Sequence, residues 1–393
     1  MMRSIIKSVA RWLVACAGQI DRRFVLILGM LMVSVLTVAP VSPLQGLGAE
    51  PNPTEWRGVH IMAWGLAGGP EGLIPLKEAI TKVFHPMGVN VIVFEVGYNF
   101  DYRSHLELRQ TKFITKKDAQ DLVEHCRQYG IRVIPQFNCL GHQSWRNTLY
   151  PLLTQYREFE EPPEAPPGQR WTELRSWCPL HPGVNGVVFS LIDELIEAFS
   201  ADAFHVGMDE VLVIASKNCE RCRDKSPAEV FAKAVNDLHQ HLVKERNLTM
   251  LMWGDRLLDA EMFPYGKGWE TSRNGTAPAI DMIPKDIVIC DWHYGKHQEY
   301  PSVRYFQEKG FRVWPAGWNN VDAVRSLIRY SRQNNMGGVV GYLATTWVLE
   351  PGGFCWALVG ERHPALVSQR ALDAAQAFHA AMEELNASAD QPH

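Results

Sequence analysis

The chain has 393 residues, 46% of them hydrophobic, which is enough for one large core or two modest ones. Its formal net charge of −4 comes from 39 basic and 43 acidic residues with no block of one sign, so nothing points to a nucleic-acid partner.

Residues 1–50 read as a targeting segment. Lys7, Arg11, Arg22 and Arg23 precede an uncharged apolar run over 24–39. That run is shorter than the ~20 residues of a full membrane span and resembles a signal-peptide core. Gly46, Gly48 and Ala49 offer a cleavage zone, while the long basic region also suits an uncleaved anchor holding residues 24–39 in a membrane. Either way the remainder is expected in an exported compartment: periplasmic, extracellular, or anchored outside the cytoplasm.

From Trp56 onward strand-like and helix-like runs alternate. Strands are expected at Arg57–Trp64, Asn90–Val96, Ile131–Phe137, Ala203–Asp209, Leu248–Trp253, Ile287–Trp292, Phe311–Pro315 and Gly338–Thr345. Helices are expected at Gly72–Phe84, Lys116–Tyr129, Pro182–Phe199, Pro227–Arg246, Val321–Gln333 and Pro364–Leu385. Ser226 and Pro227 suit the N-cap and first position of one helix, and Gly130 closes another. Eight strands mostly separated by helices argue a (β/α)8 TIM barrel, a single α/β catalytic domain over 55–386. The long connections 138–181 and 254–286 follow strands, so they are expected to wall the pocket at the catalytic face.

One stretch organises the rest: Ala203-Phe204-His205-Val206-Gly207-Met208-Asp209-Glu210. Alternation turns Phe204, Val206 and Met208 toward the helices, and His205, Gly207 and Asp209 toward the barrel interior and mouth. A Glu210 continuing that alternation would be a buried, unpaired carboxylate, which is costly. The strand is therefore expected to end at Asp209, with Glu210 turning over the rim into the same pocket. Such a pair could merely start a helix, as an N-cap and a first-turn acid. Placed at a strand's C-terminal end, it could also serve as an acid/base pair.

Polar and aromatic residues recur at the other strand ends: Glu95, Tyr98, Asn138, His142, Trp253, Asp255, Asp291, Trp292, Tyr294, Trp318 and Trp347. Each has an ordinary reading, such as a core indole, a local ion pair between Asp255 and Arg256, or a loop brace at His142. Their clustering at the expected mouth favours a site, and the 13 tryptophans suit stacking on sugar rings as well as core packing. The cysteines are dispersed apart from Cys219-Glu220-Arg221-Cys222, which could be a disulfide, half a zinc site or two free thiols. No second CxxC or nearby histidine pair completes a tetrahedral set, so no metal and no cofactor are expected.

His-x-Gly-x-Asp-Glu at a strand end resembles the signature of glycoside hydrolase family 20, the β-N-acetylhexosaminidases. In architecture the chain looks like the short hexosaminidase D type, without the N-terminal α/β domain usual in the family. The resemblance implies removal of terminal β-linked N-acetylhexosamine from a carbohydrate partner by substrate-assisted retention, an exception to the two-carboxylate scheme. Asp209 would orient the substrate's acetamido group, and Glu210 would act as general acid and then base, with a pKa raised toward neutrality. Arg57 resembles the family's sugar-binding arginine and His142 its pocket histidine. Trp253 with Asp255, Trp292 and Trp347 resemble the residues that box the N-acetylated ring. Tyr294 is the candidate for the tyrosine that bonds the acetamido group, and Glu350 for the glutamate beyond the last tryptophan. The acidic cluster usual after the second strand is not recognisable. Two rivals remain: a catalytically silent sugar-binding barrel at the cell envelope, and a two-carboxylate glycosidase pairing Glu210 with Glu95 or Asp291.

Overall fold

The computed structural model describes residues 55–63, 70–146, 148–164, 174–263, 265, 269–348, 352–360 and 367–387. The targeting segment and Glu350 lie outside the described residues. Eight parallel strands close into a barrel in chain order: β1 Trp56–Met62, β2 Val91–Glu95, β3 Arg132–Cys139, β4 Ala203–Gly207, β5 Thr249–Trp253, β6 Val288–Trp292, β7 Arg312–Gly317 and β8 Gly341–Ala344. The expected (β/α)8 architecture is the observed one. β8 pairs with β1 through Gly341 opposite Trp56 and Leu343 opposite Gly58, which closes the ring.

The alternation expected of each strand is what separates two apolar regions. Outward residues such as Val59, Phe94, Phe204, Val206, Met252 and Ile289 pack in the layer between strands and helices. Inward residues form a second cluster inside the barrel, among them Val93, Ile134, Leu251, Trp253, Cys290, Trp314 and Leu343. A barrel of this size is filled by side chains, so bulk on one strand requires space on another. Trp314 takes that space at Gly58, where an added Cβ would lie 2.2 Å from its ring.

The surrounding helices are α1 Ile74–Ala79, α2 Lys116–Gln128, α3 Val184–Phe199, α4 Pro227–His239, α5 Pro301–Glu308, α6 Val321–Gln333, α7 Gly353–Val359 and α8 Gln369–Ala387. Capping fixes their starts. Thr115 with Asp118, and Ser226 with Glu229, form capping boxes at α2 and α4, the latter with Pro227 in the first turn as expected. The connection from β5 to β6 departs from the pattern. Among the described residues it carries only the short 3-10 helices Asp255–Leu257 and Ala277–Asp281 where a barrel helix would stand.

Two substitutions separate crowding from backbone effects. Gly58→Ala should destabilise the protein by about 1–3 kcal/mol, because Trp314 has no room to yield. Gly186→Ala, on α3 with nothing near its added Cβ, should stabilise it by about 0.5–1 kcal/mol. Chemical denaturation measures both, and equal midpoints for Gly58→Ala and wild type would contradict the crowding.

Candidate active site

The strand of the signature ends earlier than its alternation suggested. β4 stops at Gly207, and the chain turns through left-handed backbone at Gly207 (φ 69°), Met208 (φ 75°) and Glu210 (φ 47°). Gly207 is required twice over. Its φ suits glycine, and a Cβ there would come 2.5 Å from Asn138 Oδ1 and 2.9 Å from Asn138 Cα, at an irregularity in β3. This turn brings both acids to the mouth together.

His142 sits between them. Its Nε2 lies 3.1 Å from Asp209 Oδ2 and 3.4 Å from Glu210 Oε2. A carboxylate oxygen from each acid and a ring nitrogen of His142 all fall within 4.8 Å of one another. His142 itself has φ 52°, and Gln143 braces its loop by donating to the carbonyls of Asn138 (3.0 Å) and Gly141 (2.8 Å) and accepting from Tyr98 Oη (2.5 Å). Burial works against charge on both members of the pair. The mutual attraction prevails: Asp209 is held below the usual carboxylate range, and His142 is held well above the usual imidazole range.

The next support is Asp255, fully buried below the rim. Its Oδ2 accepts the Glu210 backbone N–H at 2.9 Å and the Arg256 Nε–H at 2.6 Å, and its Oδ1 accepts the Trp292 indole N–H at 3.2 Å. Arg256 is anchored in turn on the carbonyls of Trp269 and Thr271. Burial, offset by Arg256, raises Asp255 to about 6. Asp255 therefore positions Glu210 and Trp292.

Aromatic residues line the opposite side. Trp292 packs against Tyr294 in a tilted pair with ring centroids 4.8 Å apart, Tyr294 meets Trp318 edge-on at 5.4 Å, and the Trp347 indole N–H donates to Tyr294 Oη. Thr345 and Thr346 hold the segment before Trp347 through the carbonyls of Gly317 and His60. Trp253 is not part of that open wall. It is fully buried inside the barrel beneath Trp347, 5.8 Å between centroids, and against His205 at 4.6 Å.

Below lies a polar floor. Glu95 accepts from His60 (3.0 Å), Gln136 (3.1 Å) and Asn138 (3.1 Å). His205 takes the Gly207 N–H on Nδ1, and burial, then the neighbouring His60, lowers it to about 3, so it stays neutral. Glu95 is thus spent on the floor. Asp291 points to the helix side, where Ser302 donates to it at 2.7 Å and His293 lies 3.0 Å away. Both expected partners of Glu210 in the two-carboxylate alternative are thus engaged elsewhere, which disfavours that alternative.

Arg57 requires a correction. It is the second residue of β1, at the N-terminal face, the opposite end of the barrel from the acids. Its guanidinium bonds Asn386 and the Leu385 carbonyl at the end of α8 and pairs with Glu55 at 3.4 Å. Sequence reasoning misses Gln143, whose signal is its place beside His142 in the loop after β3, and reads Arg256 only as an ion-pair partner of Asp255, a contact the structure contains. Trp318 was noted at its strand end, but its contact with Tyr294 was not foreseen.

An acid pair at the C-terminal mouth of a parallel barrel, walled by indoles and a tyrosine, defines a glycoside-hydrolase type of site. The profile of glycosyl hydrolase family 20, catalytic domain, matches residues 95–347, more than half of the chain, and the chain belongs to that family. It is similar to a β-hexosaminidase of Porphyromonas gingivalis, 27% identical over 44% of this chain and 20% of that protein. It is also similar to a β-hexosaminidase of Vibrio furnissii, 22% identical over 46% of this chain and 26% of that one. The chain thus spans between a fifth and about a quarter of the length of these relatives. Among solved structures, a Flavobacterium johnsoniae chitobiase shares the fold at 15% identity and a TM-score of 0.59, covering 85% of this chain and 52% of that one.

The His142–Asp209 contact has a pH signature. Stability from charged His142 is fully present below its unfolded pKa of about 6.5 and is lost as pH rises through the raised folded value. Stability from ionised Asp209 is fully present above about 3.9 and is lost as pH falls through the depressed value. Both contributions are complete between about pH 4 and 6.5. His142→Gln should remove the alkaline decline belonging to this pair, read from denaturation midpoints across pH. An unchanged alkaline slope would count against the contact.

Proposed function

We propose that this chain is an exo-acting, retaining glycosidase that removes terminal β-linked N-acetylhexosamine, GlcNAc or GalNAc, with the substrate's own 2-acetamido group as nucleophile. The observation that carries the reading is Asp209 Oδ1. It is buried and, among the described residues, takes no hydrogen bond, while Oδ2 faces His142. A buried ionised acceptor without a donor is costly, and an acetamido N–H would supply that donor.

The steps follow from the two acids. Glu210 protonates the leaving oxygen as the acetamido carbonyl oxygen attacks C1 and the glycosidic bond breaks. Asp209 accepts the N–H of the resulting oxazolinium and stabilises its positive charge. Glu210, now ionised, takes a proton from water, which attacks C1 from the vacated face and reopens the ring with retained configuration. Burial raises the Tyr294 pKa well above its ordinary value, so its hydroxyl stays protonated and can donate to the acetamido carbonyl. Trp292 and Trp347 offer the apolar faces that the sugar's C–H surface needs. The silent sugar-binding barrel is the remaining rival, and the adjacent Asp209 and Glu210 argue for turnover instead.

The test is hydrolysis of aryl β-N-acetylglucosaminide, β-N-acetylgalactosaminide and plain β-glucoside, with a thiazoline analogue of the oxazoline as inhibitor. The expected result is cleavage of acetamido sugars alone, blocked by the thiazoline. Glu210→Gln should cut turnover of poor leaving groups by about 10²–10⁴-fold and of good ones much less. Asp209→Asn should damage both kinds. Cleavage of the plain glucoside at a similar rate would sink acetamido participation, and thiazoline binding without turnover would favour the silent barrel.

The proposed setting is outside the cytoplasm, with residues 24–39 as a cleaved signal core or a membrane anchor. The apolar, uncharged run behind a basic segment supports it. N-terminal sequencing of soluble and membrane fractions decides between cleavage and anchoring, and an intact chain confined to the cytosol would refute both.

A further inference from the structure

Away from the two acids, the structure gathers four residues from two loops of the catalytic face. Glu161 and Cys178 belong to the connection after β3, and Cys219 and Cys222 to the connection after β4. All four side chains are buried, none more than 1% exposed. One ligand atom from each lies within 4.8 Å of all the others. We infer that Glu161, Cys178, Cys219 and Cys222 form a tetrahedral site for a divalent, borderline-soft cation, zinc foremost, which ties the two loops together.

The donor set fits that ion. Two thiols with two residues between them and a third from a distant segment supply soft ligands, and a carboxylate completes four. The Cys178 and Cys219 sulfurs are 3.6 Å apart. That is far beyond the ~2.05 Å of a disulfide and close to the ~3.8 Å that two thiolates keep at tetrahedral angles around zinc, with Zn–S near 2.3 Å. Glu161 supplies an independent sign. Its carboxylate receives the Ser216 backbone N–H at 2.6 Å and the Cys222 thiol at 2.8 and 3.0 Å. No cationic side chain among the described residues pairs with it. A fully buried carboxylate held only by an amide and a thiol is expensive unless a positive charge arrives. A disulfide could consume two of the three thiols, but it would leave one thiol and the buried carboxylate uncompensated.

The loops are already shaped around the four donors. Trp177, next to Cys178, donates its N–H to the Leu140 carbonyl at 3.1 Å, and Gln143 donates to the Arg175 carbonyl at 2.9 Å. Both bonds lead to the segment that carries His142. From the other loop, Lys217 N–H reaches Glu164 Oε1 at 2.8 Å, Asn218 Nδ2 reaches the Pro163 carbonyl at 2.9 Å, and Arg221 reaches the Glu158 carbonyl at 2.9 Å. A cation at the centre locks the His142 loop to the loop that follows Asp209 and Glu210. Binding would release the protons of the thiols that become thiolates, so affinity rises with pH. The site is structural: with four protein donors no coordination position is left for substrate.

The test is elemental analysis of the full chain, purified without a metal-affinity tag and without added metal, with thiols protected from air. About one zinc per chain is expected. Cobalt exchanged into the chelator-stripped protein should show thiolate-to-cobalt charge transfer and the visible bands of a tetrahedral ion. Cys178→Ser and Glu161→Gln should each lower retained zinc several-fold after dialysis, while Cys126→Ser, on α2, should keep it. Where a ligand variant does not fold, the cobalt spectrum of the wild-type chain decides. Reduced wild-type protein that holds no zinc and gives no thiolate–cobalt band overturns the inference. So does mass mapping of the freshly isolated protein that finds Cys178 joined to Cys219 or Cys222. None of these readings depends on glycosidase activity, so failure here and failure of the sugar chemistry are distinguishable.

Discussion

The contact of His142 with two adjacent acids is the constraint around which the mouth is built. Two carboxylates whose oxygens come within 4.8 Å repel, and burial penalises each of them. A cation at 3.1 and 3.4 Å offsets both effects and holds Asp209 below the usual carboxylate range. Bringing the three groups together demands unusual backbone. His142, Met208 and Glu210 all have positive φ, a conformation that costs a non-glycine residue of order 1–3 kcal/mol. Such strain persists only where the surroundings over-determine it. Here they do: Gln143 braces one loop, Asp255 holds the Glu210 amide, and Asn138 fits against a glycine that could carry no side chain.

Support for the acids runs outward in two directions. Beneath them, Glu95, His60, Gln136, Asn138 and neutral His205 make a polar layer inside an otherwise apolar barrel. Beside them, Arg256 orients Asp255, which in turn places both Glu210 and the Trp292 ring. One buried carboxylate thereby couples the position of the proposed general acid to the position of a pocket wall. A loop without a barrel helix can hold this arrangement because the guanidinium itself ties it down through the Trp269 and Thr271 carbonyls.

The sequence makes the barrel legible because alternation and helix caps are local signals. Phe204 and Val206 against His205 and Gly207, or Ser226 before Pro227, need no knowledge of distant residues. The acids and His142 are legible for the same reason, since motif and strand end coincide. Arg57 shows where such reasoning fails. An arginine near the first strand matched a family feature, but in a parallel barrel the start and the end of a strand lie on opposite faces, and Arg57 is at the start. Asp255 and Trp253 show a different limit. Both lie below the mouth, and the hydrogen bonds that engage Asp255 and the full burial of Trp253 are features only packing reveals. Cys178 was invisible because it stands 41 residues before Cys219 and is brought to it by the fold alone.

With Arg57 at the opposite face of the barrel, the proposed recognition of a sugar falls on fewer groups. The family match begins at Glu95 and leaves β1 outside it, and β1 gives the interior His60, which serves the floor. The atoms that remain at the mouth suit the acetamido end of a sugar better than its outer hydroxyls: an unsatisfied Asp209 Oδ1, the Tyr294 hydroxyl, and the faces of Trp292 and Trp347. Under the proposed function, a pocket so weighted would derive its discrimination from the acetamido group itself. On the proposed function that group would supply both the recognition handle and the nucleophile, so binding and chemistry would depend on the same few atoms. A sugar lacking it would leave Asp209 buried without a donor, and unpaired buried polar groups are what make rejection of near-isosteres strong.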